Sequence, residues 1–127
     1  MTVGLAATTL ANNWLNMLRG TAFTAPAATY NKLHTADPGA AGATAASAVT
    51  TRQAATFSAA SAGAIALSNS PSFTMTSTET ISHISVWDAS SAGNFLWSAA
   101  LTTSKSVVNT DTLTFTTLGV SLTPVAA

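Results

Sequence analysis

No cysteine occurs anywhere in the 127 residues. That excludes a disulfide framework, a thiol nucleophile and a thiolate zinc site. Charge is almost as scarce. Lys and Arg number 4, Asp and Glu number 4, and the formal net charge is zero. Charged residues make up 6% of the chain, against roughly 25% in an ordinary globular protein. Four scattered cations make no basic footprint, so nucleic acid is not an expected partner. Disorder requires low hydrophobicity and high net charge, whereas 47% of this chain is hydrophobic. Long apolar runs are also missing. The longest uncharged stretch, Gln53 to Thr78, is full of Ser and Thr and contains Pro71. A spanning helix needs about 20 predominantly apolar residues, so membrane insertion is not expected. No Lys or Arg precedes Arg19, and Asn12-Asn13 breaks the first apolar run, which is not the pattern of a secretory signal.

What is present is small and neutral: about half of the residues are Ala, Thr or Ser. The length suits one domain. A folded chain of this size exposes roughly 6,000 Å², and eight charged side chains leave most of that area uncharged. Free domains usually keep charge on their surface to resist association. A neutral surface of small residues is expected where neighbours cover it, as in a permanent assembly.

The pattern along the chain predicts a mainly β fold, an antiparallel β-sandwich of jelly-roll or Greek-key-like type with one N-terminal α-helix. The helix is expected over 1–20 and the sandwich over 21–127. Val3, Ala7, Leu10, Trp14 and Met17 recur at spacings of four and three, which places them on one helical face. Thr2 is the expected N-cap, Gly20 the left-handed stop, and Arg19 suits the C-terminal end of the dipole. Leu5, Leu15 and Leu18 fall off that stripe, so the helix is apolar on more than one face. Packing on the chain's own sheet is one way to cover these faces, and an oligomer contact through Trp14, Leu15 and Leu18 is the other.

Tyr30 to Thr35 reads as a short strand. Ala36-Asp37-Pro38-Gly39 reads as a turn, because Pro38 fixes φ and Gly39 accepts positive φ. Gly39 to Ser47 has no periodicity and reads as a mobile surface loop. Short strands follow at Thr51–Phe57, Ala64–Leu67, Phe73–Met75, Ile81–Trp87, Phe95–Leu101 and Ser106–Val108. In Ile81–Trp87, Ile84 and Val86 share one face while Ile81 and Trp87 occupy the other, so this strand is expected to be central and covered on both sides. Leu113 and Phe115 alternate in one phase, and Leu118, Val120 and Leu122 in the opposite one. A bulge or turn must therefore sit near Thr117-Leu118.

Catalytic chemistry is nearly absent. There is no G-x-S-x-G elbow and no phosphate-cradling loop. The few titratable groups leave little for acid–base work, so no enzyme is expected. His34 with Asp37, or His83 with Asp88, lack a recognised metal spacing. Neither a metal nor a cofactor is expected, and each histidine is read as a hydrogen-bonding group. Trp87 and Trp97 flank the loop Ala89 to Gly93. Exposed, they would stack on sugar rings, and the loops near Asp37, Asp88 and Asn94 would form a glycan- or receptor-binding surface. Buried, they are core. The threonine ladders at 74-76-78 and 112-114-116 are read as ordinary polar strand faces.

Several stretches together resemble a family of small tailed-phage proteins. Leu33-His34-Thr35-Ala36-Asp37-Pro38-Gly39 resembles its LHTADPG signature. Ser82 to Ala89 is similar to its SHVSLWDA stretch, and Gly93 to Leu101 to its GTFLWSGAL. Arg52 through Phe57, and then Lys105, Val107, Asp111 and Leu113, follow in order, so the resemblance covers about Tyr30 to Leu122. Thr110 stands where the family often has Gly, and Thr116-Thr117-Leu118-Gly119 where it often has Pro-Ala-Gly-Asp. The family is usually described as tail-fibre-like or minor virion proteins. The resemblance therefore implies a non-enzymatic structural subunit of a virion, on the tail or as a minor or decorating protein of the capsid exterior. It would be a homo-oligomer, most simply a trimer, partnered by major capsid or tail proteins. The alternative is a glycan- or receptor-binding adhesion module facing a host surface glycan.

Overall fold

The computed structural model describes residues 3–126. Eight strands form, all paired antiparallel: β1 (Tyr30–His34), β2 (Gln53–Ala54), β3 (Ala64–Ala66), β4 (Ser72–Thr74), β5 (Glu79–Trp87), β6 (Phe95–Val107), β7 (Thr112–Thr114) and β8 (Gly119–Ser121). A main sheet has the order β2-β1-β5-β6, and β3-β8 and β4-β7 are two-stranded ribbons. After β2 the chain runs through β3 and β4 before β5 returns beside β1, a long return of the Greek-key kind.

The ribbons lie against one face of the main sheet and make the second layer of the sandwich. The shared core joins Leu33, Ile84, Val86 and Trp97 of the sheet to Phe73, Met75 and Phe115 of the β4-β7 ribbon. Phe73 and Phe115 meet edge to face at 6.1 Å, a favoured aromatic geometry. Alternation produces this: Phe73 is buried between exposed Ser72 and Thr74, and Leu113 is half-buried between exposed Thr112 and Thr114. The threonines form the outer face, where Ser72 and Thr114 hydroxyls bond at 2.7 Å. The phase change near Leu118 is the point where the chain leaves β4 as partner and joins β3.

Several expectations need correction. The helical segment is short: a π turn over Ala7–Ala11 runs into α1, Asn12–Met17. Thr2, the expected N-cap, lies outside the described residues, and Ala6 precedes the π turn instead. Leu5 leaves the helix to bridge Trp97 on the outer edge of β6. That edge is thereby partly covered by hydrogen bonds from the Ala6 N–H to the Leu96 carbonyl and from the Ser98 N–H to the Gly4 carbonyl. The strand expected over Thr51–Phe57 shrinks to β2, with Ala55 still buried. The strands expected at Phe95–Leu101 and Ser106–Val108 are one continuous β6. Ile81 does not share a face with Trp87. A bulge between Ile81 and His83 shifts the register, so Ile81 joins Ile84 and Val86 in the main core while Trp87 packs with Ala6 and Phe95.

Candidate functional site

The second face of the main sheet carries the chemistry. Register sets Tyr30, Lys32 and His34 of β1 opposite Trp87, Ser85 and His83 of β5, and Ser85 opposite Ser98 of β6. His34, Ser85 and Ser98 are buried. Buried polar groups are the informative ones, because each needs a partner.

Ser98 Oγ accepts the Gly4 N–H at 3.4 Å, while His34 and Ser85 find partners in one chain of hydrogen bonds. The Trp87 indole N–H donates to Ser85 Oγ at 2.8 Å. Ser85 Oγ lies 2.7 Å from His34 Nε2. His34 Nδ1 lies 2.8 Å from the Thr44 carbonyl. A carbonyl only accepts, so Nδ1 carries the proton, Nε2 accepts, and Ser85 donates its hydroxyl to it. Every member is satisfied with a neutral imidazole. Burial lowers the His34 pKa from its ordinary value, outweighing the stabilising Thr44 carbonyl. The serine and histidine sit at a nucleophile–base distance, but both are sealed from solvent, so no substrate reaches Ser85. His83 takes a separate role, with Nδ1 2.8 Å from Ser82 Oγ, whose hydroxyl donates to the Thr35 carbonyl.

The loop read as mobile from sequence is what covers this face. The Thr44 N–H bonds the Pro38 carbonyl, the Thr35 N–H bonds the Ala45 carbonyl, and the Ser47 N–H bonds the Leu33 carbonyl. Gly42, at φ +66°, lies flat on the Phe95 ring, where any Cβ would strike the aromatic carbons. Positive φ and close approach together require glycine there. Asp37 turns the chain at the loop's start, its carboxylate accepting the Gly39 N–H at 2.8 Å.

At the other end, Asp88 closes the β5-β6 connection. Its carboxylate accepts the Asn94 backbone N–H at 2.6 Å and the Asn94 side-chain amide at 2.8 Å. Arg52 was not singled out in sequence, yet it staples this loop. One guanidinium nitrogen donates to the carbonyls of Ala89 and Ala92, each at 2.7 Å, while the group lies 3.9 Å from the Trp87 ring centroid. Asp88 and Asn94 come together beside a cleft of about 470 Å³ that also meets Asn13 and Phe23; Asp37 does not line it.

Trp87 and Trp97 are buried, at 9% and 6% exposure, so they offer no stacking platform for sugars. The two nitrogens of His34 are already engaged, and no group of three potential ligands gathers among the described residues. No helix there is long and apolar enough to cross a membrane.

The helix residues separate into two groups. Trp14 is half-buried and packs on the main core, whereas Leu15 and Leu18 are 64% and 87% exposed. Leu15, Met17 and Leu18 form the largest run of exposed apolar side chains in the N-terminal segment.

The family model described as podophage GP4 fiber I protein gp80 matches residues 5–123, nearly the whole chain, and the chain belongs to that family. Its members are phage fiber proteins, components of the virion, and this chain is accordingly a structural virion protein. No curated protein matches.

Proposed function

We propose that this member of the podophage fiber family is a non-enzymatic tail-fiber subunit that works as a homo-oligomer, most simply a trimer. The observation that carries the proposal is the exposed pair Leu15 and Leu18 on α1, beside Trp14. A helix that gives Leu10 and Trp14 to its own core and still presents two leucines outward has a second surface to bury. The chain exposes 7205 Å², more than the roughly 6,000 Å² usual for its mass. Permanent interfaces bury more than about 2,000 Å² and resemble a core cut in half, and a surface this poor in charge accommodates one. The fiber description favours the tail over the capsid exterior. Subunit neighbours would be further copies of the chain and other tail proteins.

Light scattering on the purified protein tests the assembly. Wild type should run as an oligomer, and Leu15→Ser with Leu18→Ser should run as a folded monomer. An unchanged mass for the double variant would defeat the α1 interface. Copy number per particle, by quantitative mass spectrometry against the major capsid protein, tests the location. A handful of copies fits the tail, and hundreds would move the protein to the capsid surface.

A further inference from the structure

The eight charged side chains divide unevenly. All four carboxylates are spent on turns and loops. Asp37 accepts the Gly39 N–H, Asp88 holds Asn94, and Asp111 accepts the Val108 N–H. Glu79 accepts the Ser47 hydroxyl and the Ala48 N–H. None of these hydrogen bonds comes from Lys or Arg. The cations are thus left without hydrogen-bonded counter-ions among the described residues, and two of them stand side by side.

The β1-β2 register sets Asn31 opposite Gln53. Lys32 follows Asn31 and Arg52 precedes Gln53, so extending this register by one step beyond β2 sets the two cations across from each other, close enough for the Arg52 charge to act on Lys32. Arg52 reaches onto the Trp87 ring and Lys32 shares a face with Ser85, so both lie on the second face of the sheet. Like charges opposite each other across two strands are destabilising. Burial, and then the Arg52 charge, lower the Lys32 pKa from its ordinary value. The Asp88 charge offsets only part of what burial does to Arg52, and its oxygens are held by Asn94. Arg52 spends one nitrogen on the loop carbonyls, and among the described residues no hydrogen bond engages its other N–H groups. Free guanidinium donors beside an ammonium, with neutral Ser and His around them, match the donor set that grips an oxyanion.

We infer that Lys32 and Arg52 form a binding site for one oxyanion, a phosphate or carboxylate group carried by a molecule other than this chain. In a second copy each side-chain carboxylate already accepts hydrogen bonds within its own fold, which makes it a poorer match than a carboxylate or phosphate carried by another molecule. The site lies on β1, β2 and Trp87, apart from the exposed leucines of α1, and does not depend on the oligomer reading.

Thermal unfolding tests it, at matched ionic strength, in chloride, in inorganic phosphate and in glucuronate. Phosphate or glucuronate should raise the Tm of the intact protein by about 2–5 °C over chloride. Lys32→Gln should lose that rise, while Lys105→Gln, which removes a cation from the exposed part of β6, should keep it. In chloride, Lys32→Gln should melt at or slightly above wild type, because it removes a repulsion. A rise in phosphate alone would make the ligand group a phosphate, and a rise in glucuronate alone a carboxylate. An equal rise in wild type and Lys32→Gln would be a general salting effect and would overturn the site. So would the absence of any rise, or a clear loss of stability for Lys32→Gln in chloride, which would show that Lys32 already has its partner inside the fold.

Discussion

The two faces of the main sheet are held by different physics. The face toward the ribbons is apolar and packed: Leu33, Ile84, Val86 and Trp97 meet Phe73, Met75 and Phe115. Its stabilisation scales with area removed from water and has no preferred direction. The opposite face buries Ser85, Ser98 and His34 and is closed by a loop tied down one hydrogen bond at a time. Its stabilisation is directional and depends on protonation state and on each partner being present. One sheet therefore has a face held by volume and a face held by geometry and charge state.

Phe73→Ala should break the first face most severely. The ring is fully buried, and truncating it should cost about 3–5 kcal/mol, read by chemical denaturation, with little change in pH dependence. Asn31 sharpens the contrast from inside the apolar face. Its side chain is wholly buried, and neither its oxygen nor its nitrogen has a protein partner. Asn31→Leu should raise stability by about 1–3 kcal/mol, the usual cost of an unsatisfied buried group. A loss instead would reveal a bound water serving both atoms.

The smallest effect belongs to the polar face. His34→Gln should cost about 1 kcal/mol at neutral pH and change how stability responds to acid. Burial lowers the folded-state pKa of His34 below the 6.5 expected in the unfolded chain. As pH falls below that value the unfolded state binds the proton first, so stability drops. The His34 contribution is fully present above about pH 6.5 and is lost as pH falls through the folded-state pKa. Melting curves across pH 7.5 to 5 should show that component in wild type and not in His34→Gln.

Much of the packed face was legible in sequence, because alternation states which side chains share a face. Phe73 with Met75, Ile84 with Val86, and Leu113 with Phe115 all behave as their spacing says. The phase slip near Leu118 correctly marks a change of course. Pairing partners were not legible. Nothing local tells β7 to join β4, or β8 to join β3. The bulge at Ile81/His83 arises from the fit between β5 and β6, and alternation within β5 alone therefore misplaced Ile81. The polar face was half legible. His34, Asp37, Ser85, Trp87 and Asp88 all fall in the stretches that carry the family resemblance, and the fold brings His34, Ser85 and Trp87 into one hydrogen-bond chain. These three bond one another and, through Thr44, the covering loop, so that part of the signature specifies the closure of one sheet face. Arg52 opens one of the stretches that carry the resemblance, but its role was not legible, nor was the Gly42–Phe95 contact, since stapling a loop 37 residues away leaves no periodic trace.

Three of the four carboxylates close local turns and Glu79 ties down a distant loop, which has a consequence for the particle's life outside a host. Dissolved ions weaken attraction between exposed charges over distances of about 10 Å at 0.1 M, but they do little to a carboxylate bonded to a neighbouring backbone N–H. A fold that closes its loops this way, with no cation–carboxylate hydrogen bonds across the described residues, should hold its loops with little dependence on ionic strength. Such osmotic indifference suits a component that must wait, without metabolism or repair, in whatever water it is released into.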